Sequence, residues 1–447
     1  MNRHPHPYWL WDRLKPLRPL LLIPVVRLLY SRLTHTPFTG FLRESEIASA
    51  VFLVGLGSLW TVSYQADDRA VRIRERFPWA HTRCVLLSQV ASIDVERTPF
   101  MALTGGRRIQ LRSSGCSHPL RLYLDRKSTR LFLPPFRPAL SGKLITSFIW
   151  ALSGSDAAVG WLYAIIPLRQ TARFLGKHPV DEWNSLKDRL PMVGLPALLT
   201  GLAVLLAVGW GISFVRRLAV GLGFSADFQE GEIRTRSGFL TRQYRRLFLS
   251  HIHGVQLRQT LGLSLCGLYS AAAIVESDFD EIGHDRPVIC QTATKRDTYT
   301  LLSRLLPGGV PSLEPALRLN RRGKRRYWLP PLLWCLPGCA LLLLGPGFRP
   351  VGGLWLTGTL WWLIVRLRAC RIAGITVTRA ALLLRFPQKL ALHTVILPAR
   401  GRESLRIRQS PWQKRVGLGD VIVCVGGGRF RVRALPVEAV KRLWMDN

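Results

Sequence analysis

The sequence predicts an α+β membrane protein in which apolar helical hairpins alternate with three copies of one β-rich domain. Three observations carry this: uncharged runs long enough to cross a bilayer, basic residues crowded beside them, and three stretches that superimpose without a gap. The 447 residues include 63 Lys and Arg against 27 Asp and Glu, a net charge of +36, yet 48% are apolar. Soluble enzymes rarely combine the two. An anionic membrane surface accounts for both, and positive-inside anchoring absorbs much of the charge, so no nucleic-acid partner is expected.

Taken in chain order, residues 1–64 read as a first membrane hairpin. Its apolar runs are 19–30, broken by Arg27, and 47–64, uncharged and ending in the interface-favouring Trp60 and Tyr64. Residues 65–140 form the first β-rich domain. The second hairpin, 141–217, contains 145–168, with Ser153, Ser155 and Asp156 near its middle, and 191–215, uncharged throughout and closed by Arg216 and Arg217. The second domain is 218–326. In the third hairpin, 327–370, the runs 328–344 and 351–365 are joined by the breaker cluster Gly345-Pro346-Gly347, and the third domain is 371–447. Six spans are preferred and four are the alternative, since 19–30 and 145–168 are interrupted. Basic residues on both flanks of the last hairpin place the three domains on the cytoplasmic side, although the basic loop 169–189 runs against this topology.

The repeats are residues 71–115, 233–277 and 383–427. Each has Arg or Gln, then Ser or Thr, ahead of a glycine: Arg97-Thr98 to Gly105, Gln259-Thr260 to Gly267, Gln409-Ser410 to Gly417. Apolar residues alternate before this element (Ile93 and Val95, Val255 and Leu257, Leu405 and Ile407) and after it (Ile109 and Leu111, Ala271 and Ala273, Val421 and Val423). Alternation on both sides of an interruption predicts two half-buried strands joined by an excursion. The glycines are expected to supply a backbone conformation or a close approach. Helical spacing over 293–306 and 437–444 predicts a closing helix, for which 127–133 is the poorer counterpart.

These residues resemble the bacterial pleckstrin-homology-like (PH-like) domain of the YdbT family of membrane proteins. The third copy carries the resemblance best, in Ile396-Leu397-Pro398, in the run from Gln409 through Ser410, Pro411, Trp412, Gln413 and Lys414 to Arg415, and in Gly417-Leu418. The second copy shows it in Arg245-Arg246, Leu249, Ile252, Val255, Gln259 and Gly267-Leu268, the first in Ser92-Ile93, Thr98-Pro99 and Gly105-Gly106. His251 stands where the family usually has Arg, and the first copy has Gly105-Gly106-Arg107-Arg108 in place of the Arg-x-x-Gly-Leu type. The resemblance implies three PH-like bent β-sandwiches or partly open barrels, each capped by a C-terminal helix, in a multi-pass protein of the bacterial inner membrane. It implies no catalytic centre and no cofactor, and it points to a smaller membrane protein with a single PH-like domain as a partner.

The chemistry legible in the residues is sparse. There is no phosphate-binding loop, dinucleotide fingerprint, metalloprotease motif or nucleophile elbow. Eight cysteines are scattered without a CxxC pair, so reduced thiols are expected and no metal site; Cys335 and Cys339 read as small packing residues on one helix face. His251 and His253 read as the solvated side of a strand, Gly426-Gly427-Gly428 as a hairpin turn, and Asp278, Asp280 and Glu281 as a polar loop.

Two groups remain as candidate sites. Arg321, Arg322, Lys324, Arg325 and Arg326 form a basic run suited to anionic lipid. Trp412 with Lys414 and Arg415 offers the side-chain types that dominate protein interfaces, although Trp412 folded back as core is an equal reading. The expectation is a non-enzymatic inner-membrane scaffold presenting three PH-like domains to a partner protein and anionic lipid, with oligomerisation compatible. A rival is a component of a transport or export system for peptide or lipid, for which Asp156 and its neighbouring serines are the only polar groups within a span.

Overall fold

The computed structural model describes residues 6–9, 46, 49, 53, 61–154 and 197–445, apart from 68, 77–79, 114–118, 130–137 except 132 and 136, 230, 276–285, 307–311, 344–348, 389, 399–403 and 426–427. The expected runs 19–30 and, for the most part, 47–60 lie outside the described residues. So do Ser155, Asp156, the loop 169–189, the cluster at 278–281 and the breaker 345–347.

One unit occurs three times. In the first, the meander β1 (Val62–Ala66), β2 (Ala70–Glu75) and β3 (His81–Leu86) passes through a 3-10 turn, Leu87–Gln89, into β4 (Val90–Arg97). A one-turn helix α1 (Pro99–Thr104) then leads to β5 (Gly106–Ser113), β6 (Leu120–Asp125) and the short α2 (Arg126–Thr129). After β7 (Leu140–Ser141), α3 (Leu144–Gly154) and α4 (Ala197–Gly221), the second unit repeats the plan. It comprises β8 (Ser225–Gln229), β9 (Glu232–Ser237), β10 (Arg242–Phe248), the turn Leu249–His251, β11 (Ile252–Thr260), α5 (Leu261–Leu265), β12 (Tyr269–Val275), β13 (Val288–Ala293) and α6 (Lys295–Leu305).

Next come β14 (Leu317–Arg318) and two long helices, α7 (Arg321–Leu343) and α8 (Arg349–Ile372). The third unit is β15 (Gly374–Val377), β16 (Ala381–Gln388), β17 (Ala391–Pro398), β18 (Ser404–Arg408), α9 (Pro411–Arg415), β19 (Leu418–Val425), β20 (Gly428–Pro436) and α10 (Val437–Met445). The alternating residues point inward in all three units: Ile93, Val95, Val255, Leu257, Val421 and Val423 are buried, while Leu405 and Ile407 pack against the third core.

The units share sheets. Each contributes two antiparallel meanders, and the second meander of one unit joins the first of the next, giving the orders β6-β5-β4-β10-β9-β8-β7 and β13-β12-β11-β17-β16-β15-β14. The terminal meanders β1-β2-β3 and β18-β19-β20 stand as three-stranded sheets. At the first junction Asp94 lies opposite Arg245, Val95 opposite Tyr244 and Glu96 opposite Gln243. The same repeat positions face one another at the second: Gln256 and Val395, Leu257 and Thr394, Arg258 and His393. Gly254 permits the second junction to close, since a Cβ there would sit 2.6 Å from the Ile396 carbonyl oxygen.

The membrane reading requires correction. Among the described residues no helix is long and apolar enough to cross a membrane. That finding overturns the transmembrane hairpins and removes the support for a multi-pass inner-membrane location; what stands is a β-rich chain of several sheets with helices between them. The physical reasons lie in the helices. The first six residues of α7 include five cations and its interior holds Pro330, Pro331 and Pro337, and the apolar part of α8 ends at Arg366. Each apolar stretch is therefore roughly 25 Å long at about 1.5 Å per residue, short of a hydrocarbon core of about 30 Å. Helix α3 has 11 residues. In α4 the described side chains include Arg216 and Arg217, and residues 191–196 of the expected span lie outside the described residues.

Helices α7 and α8 pack against each other through small residues. A Cβ on Gly352 would meet the Gly338 carbonyl oxygen at 2.8 Å, and the Cys335 thiol lies 3.4 Å from the Thr359 hydroxyl. Cys335 thus has the packing role expected of it, whereas Cys339 is exposed.

Candidate functional site

The basic run forms the N-terminal turns of α7. Gly323 and Tyr327, four residues apart, turn the other face of the helix onto β20: a Cβ on Gly323 would stand 2.5 Å from the Ala434 carbonyl oxygen, so only glycine fits. The Tyr327 hydroxyl donates to the Arg433 carbonyl at 3.0 Å and accepts from the Arg433 amide at 3.3 Å. Burial pushes its pKa up, so the phenol stays protonated. With that face fixed, Arg321, Arg322, Lys324, Arg325 and Arg326 are all exposed.

This placement runs against local stability. Cations at i and i+4 repel one another, and the N-terminus of a helix is the positive end of its dipole. An anion docked there would relieve both. Behind the cations, Leu329, Leu332, Leu333, Trp334 and Leu336 are also exposed, as are Trp355, Leu360, Trp361 and Ile364 of α8. The Trp334 and Trp355 rings stack with centroids 5.6 Å apart, and the Trp355 indole donates to the Trp334 carbonyl at 2.8 Å. Trp362 lies under the Arg366 guanidinium at 5.7 Å, and burial together with neighbouring Arg433 lowers the Arg366 pKa.

The second group sits on α9. Ser410 and Gln413 form a reciprocal cap, the Gln413 amide nitrogen donating to Ser410 Oγ at 3.3 Å and the Ser410 amide to Gln413 Oε1 at 2.8 Å. The Gln413 side chain then donates to buried Asp420 at 2.8 Å, which also accepts from the Ala434 amide at 2.9 Å and pairs with Arg431. On this anchored turn Trp412 is 68% exposed and its ring lies 5.2 Å beneath the Arg415 guanidinium; Lys414 is exposed beside them. The core reading of Trp412 is thereby excluded. Each group is assembled on the third unit, α7 through β20 and α9 against β19.

The repeat motif now has a mechanism. Thr98 and Ser410 cap the helical excursions, Gly105, Gly267 and Gly417 leave them with φ between +67° and +77°, and Gln259 and Gln409 donate across the excursion to the Leu268 and Leu418 carbonyls at 3.3 and 2.9 Å. Nothing lies within 4 Å of a Cβ on these glycines, so conformation and not close approach is their role. His251 ends a 3-10 turn while His253 lies within β11, so the two rings do not share a strand.

Sequence reading missed the residues that join the units. Asp94 takes Arg245 at 2.5 Å across the first junction, with Arg112 at 3.6 Å, and Glu232 pairs with Arg234 and Arg246 on the same sheet. Their signal was present as polar residues at one repeat position, Asp94, Gln256 and Arg406, of which the first and last are oppositely charged, but only the strand pairing gives it meaning.

No curated protein and no solved structure matches the chain. The family model described as Bacterial PH domain matches residues 24–134 and 190–277, which span the first unit and the second as far as β12, with the segments before them. The chain therefore carries sequence similar to the bacterial PH domain in two of its three structurally repeated units.

Proposed function

We propose that this chain is a non-enzymatic binding protein of the YdbT type, which holds an anionic lipid surface through α7 and presents its third unit to a protein partner. The observation that carries it is the set of five exposed cations at the positive end of a helix, followed directly by exposed apolar side chains. A surface of that kind matches anionic headgroups with acyl chains beneath them. Two matches to a family described as a PH domain support a binding role, as does a sequence without a catalytic motif.

The test is co-sedimentation of the full chain with vesicles of anionic or zwitterionic lipid. Changing Arg321, Arg322, Lys324, Arg325 and Arg326 to Gln should weaken binding to anionic vesicles by about 1 kcal/mol for each residue at the surface, and added salt should weaken the unaltered protein likewise. Equal, salt-independent binding to both vesicle types would overturn the lipid reading.

A further inference from the structure

At both internal junctions the first strand of a unit's second meander is covered, β4 by β10 and β11 by β17. The equivalent strand of the third unit is β18, which among the described residues pairs only with β19. Its Leu405 and Ile407 are half-buried toward the core, while Ser404, Arg406 and Arg408 are exposed. Asp94 and Glu96 of β4 occupy the repeat positions of Arg406 and Arg408, and there the carboxylates face Arg245 and Gln243. The third unit inverts that charge. The carboxylate opposite Arg408 within the unit, Asp420, is engaged by Arg431, Gln413 and the Ala434 amide.

A second copy of this chain is a poor fit. Paired as the internal junctions are, it would offer β3, the equivalent of β10 and β17, which among the described residues pairs only with β2. In the shared register Arg83 of β3 would face Arg406 and His81 would face Arg408. Arg83 and Arg406 are like charges, and like charges directly opposite one another on a sheet face are destabilising.

We propose that β18 is a docking edge for an antiparallel strand of a different protein, one that carries Asp or Glu side chains opposite Arg406 and Arg408. The backbone of β18 supplies the hydrogen bonds and the two arginines select the strand. This names the partner chemistry in the protein-binding half of the function proposed above and rests on that half alone.

The experiment uses the full chain and a labelled peptide with the β10 sequence, Arg242–Phe248, carrying Gln243→Glu and Arg245→Glu, read by fluorescence anisotropy. The acidic peptide should bind, and the unaltered basic peptide should bind at least roughly tenfold more weakly. In the Arg406→Glu, Arg408→Glu protein the preference should reverse, a gain of function that a misfolded variant cannot produce. N-methylation of alternate peptide amides should abolish binding, because strand addition needs those donors. Charges on a sheet edge can also serve to keep it unpaired. Absence of peptide binding would establish that role and overturn the proposal, as would binding that ignores the double substitution or the N-methyl groups. Self-association lost in the same variant would assign the edge to a second copy and also overturn it. Vesicle binding measured on the same samples separates the two halves: an edge that fails while anionic vesicles still bind leaves the lipid reading intact.

Discussion

Asp420 shows how a single buried carboxylate fixes a surface. Burial alone would raise its pKa, but the hydrogen bonds from Arg431, the Ala434 amide and the Gln413 side chain outweigh burial and hold it below the usual carboxylate value. A depressed folded-state pKa means that its stabilisation is present above the unfolded value and is lost as pH falls through the folded one. Asp420→Ala should cost about 1–3 kcal/mol by leaving its donors unsatisfied, and acid titration of thermal stability should show the wild-type advantage vanishing at low pH. Trp412→Ala should change the unfolding free energy little, within about 0.5 kcal/mol in a denaturant titration, since the ring is exposed. The thiols separate in the same way. Burial pushes the Cys290 pKa to about 11, whereas Cys84, Cys266 and Cys339 are exposed, so a thiolate-directed alkylating reagent should label those three in the native protein and reach Cys290 only on unfolding.

Among the elements, the excursion between paired strands is where sequence and structure agree most closely. The strand, excursion and strand pattern was readable because the residues that set it lie within a dozen positions; the helical form of the excursion, with its caps at Thr98 and Ser410 and its bridges from Gln259 and Gln409, was not. Gly417→Ala should destabilise by about 1 kcal/mol in a denaturant titration, and Gly105→Ala and Gly267→Ala by similar amounts, because each φ is positive and alanine resists it. The basic face of α7 was readable for the same reason, being local. The helices between the units were not. An uncharged run reports that a segment avoids water; it does not report how long the unbroken helix is or what covers it. In α7 and α8 the basic and proline-bearing turns shorten the apolar stretch. The charges at the junction positions escaped notice because a residue there takes its meaning from a strand far away in the chain, as Asp94 does from Arg245, 151 positions distant.

At the scale of the whole molecule, hydrogen bonding runs through the unit boundaries, so neighbouring units should lose structure together. Asp94→Arg, which sets two arginines against each other in the β4 and β10 pair, should split one thermal transition into two in calorimetry and speed amide hydrogen exchange in β4 and β10. Gly254→Val should weaken the second junction by about 1–3 kcal/mol, as its side chain has no room beside the Ile396 carbonyl. The constant register at both junctions has a further consequence. A coupling that uses the same positions twice is a grammar of growth: whatever follows a unit need only present a third strand of the same kind, whether encoded downstream in the same gene or supplied by another. A fourth unit joined after the third should seat its first meander on β18 in the same register, provided its edge strand carried the opposite charge.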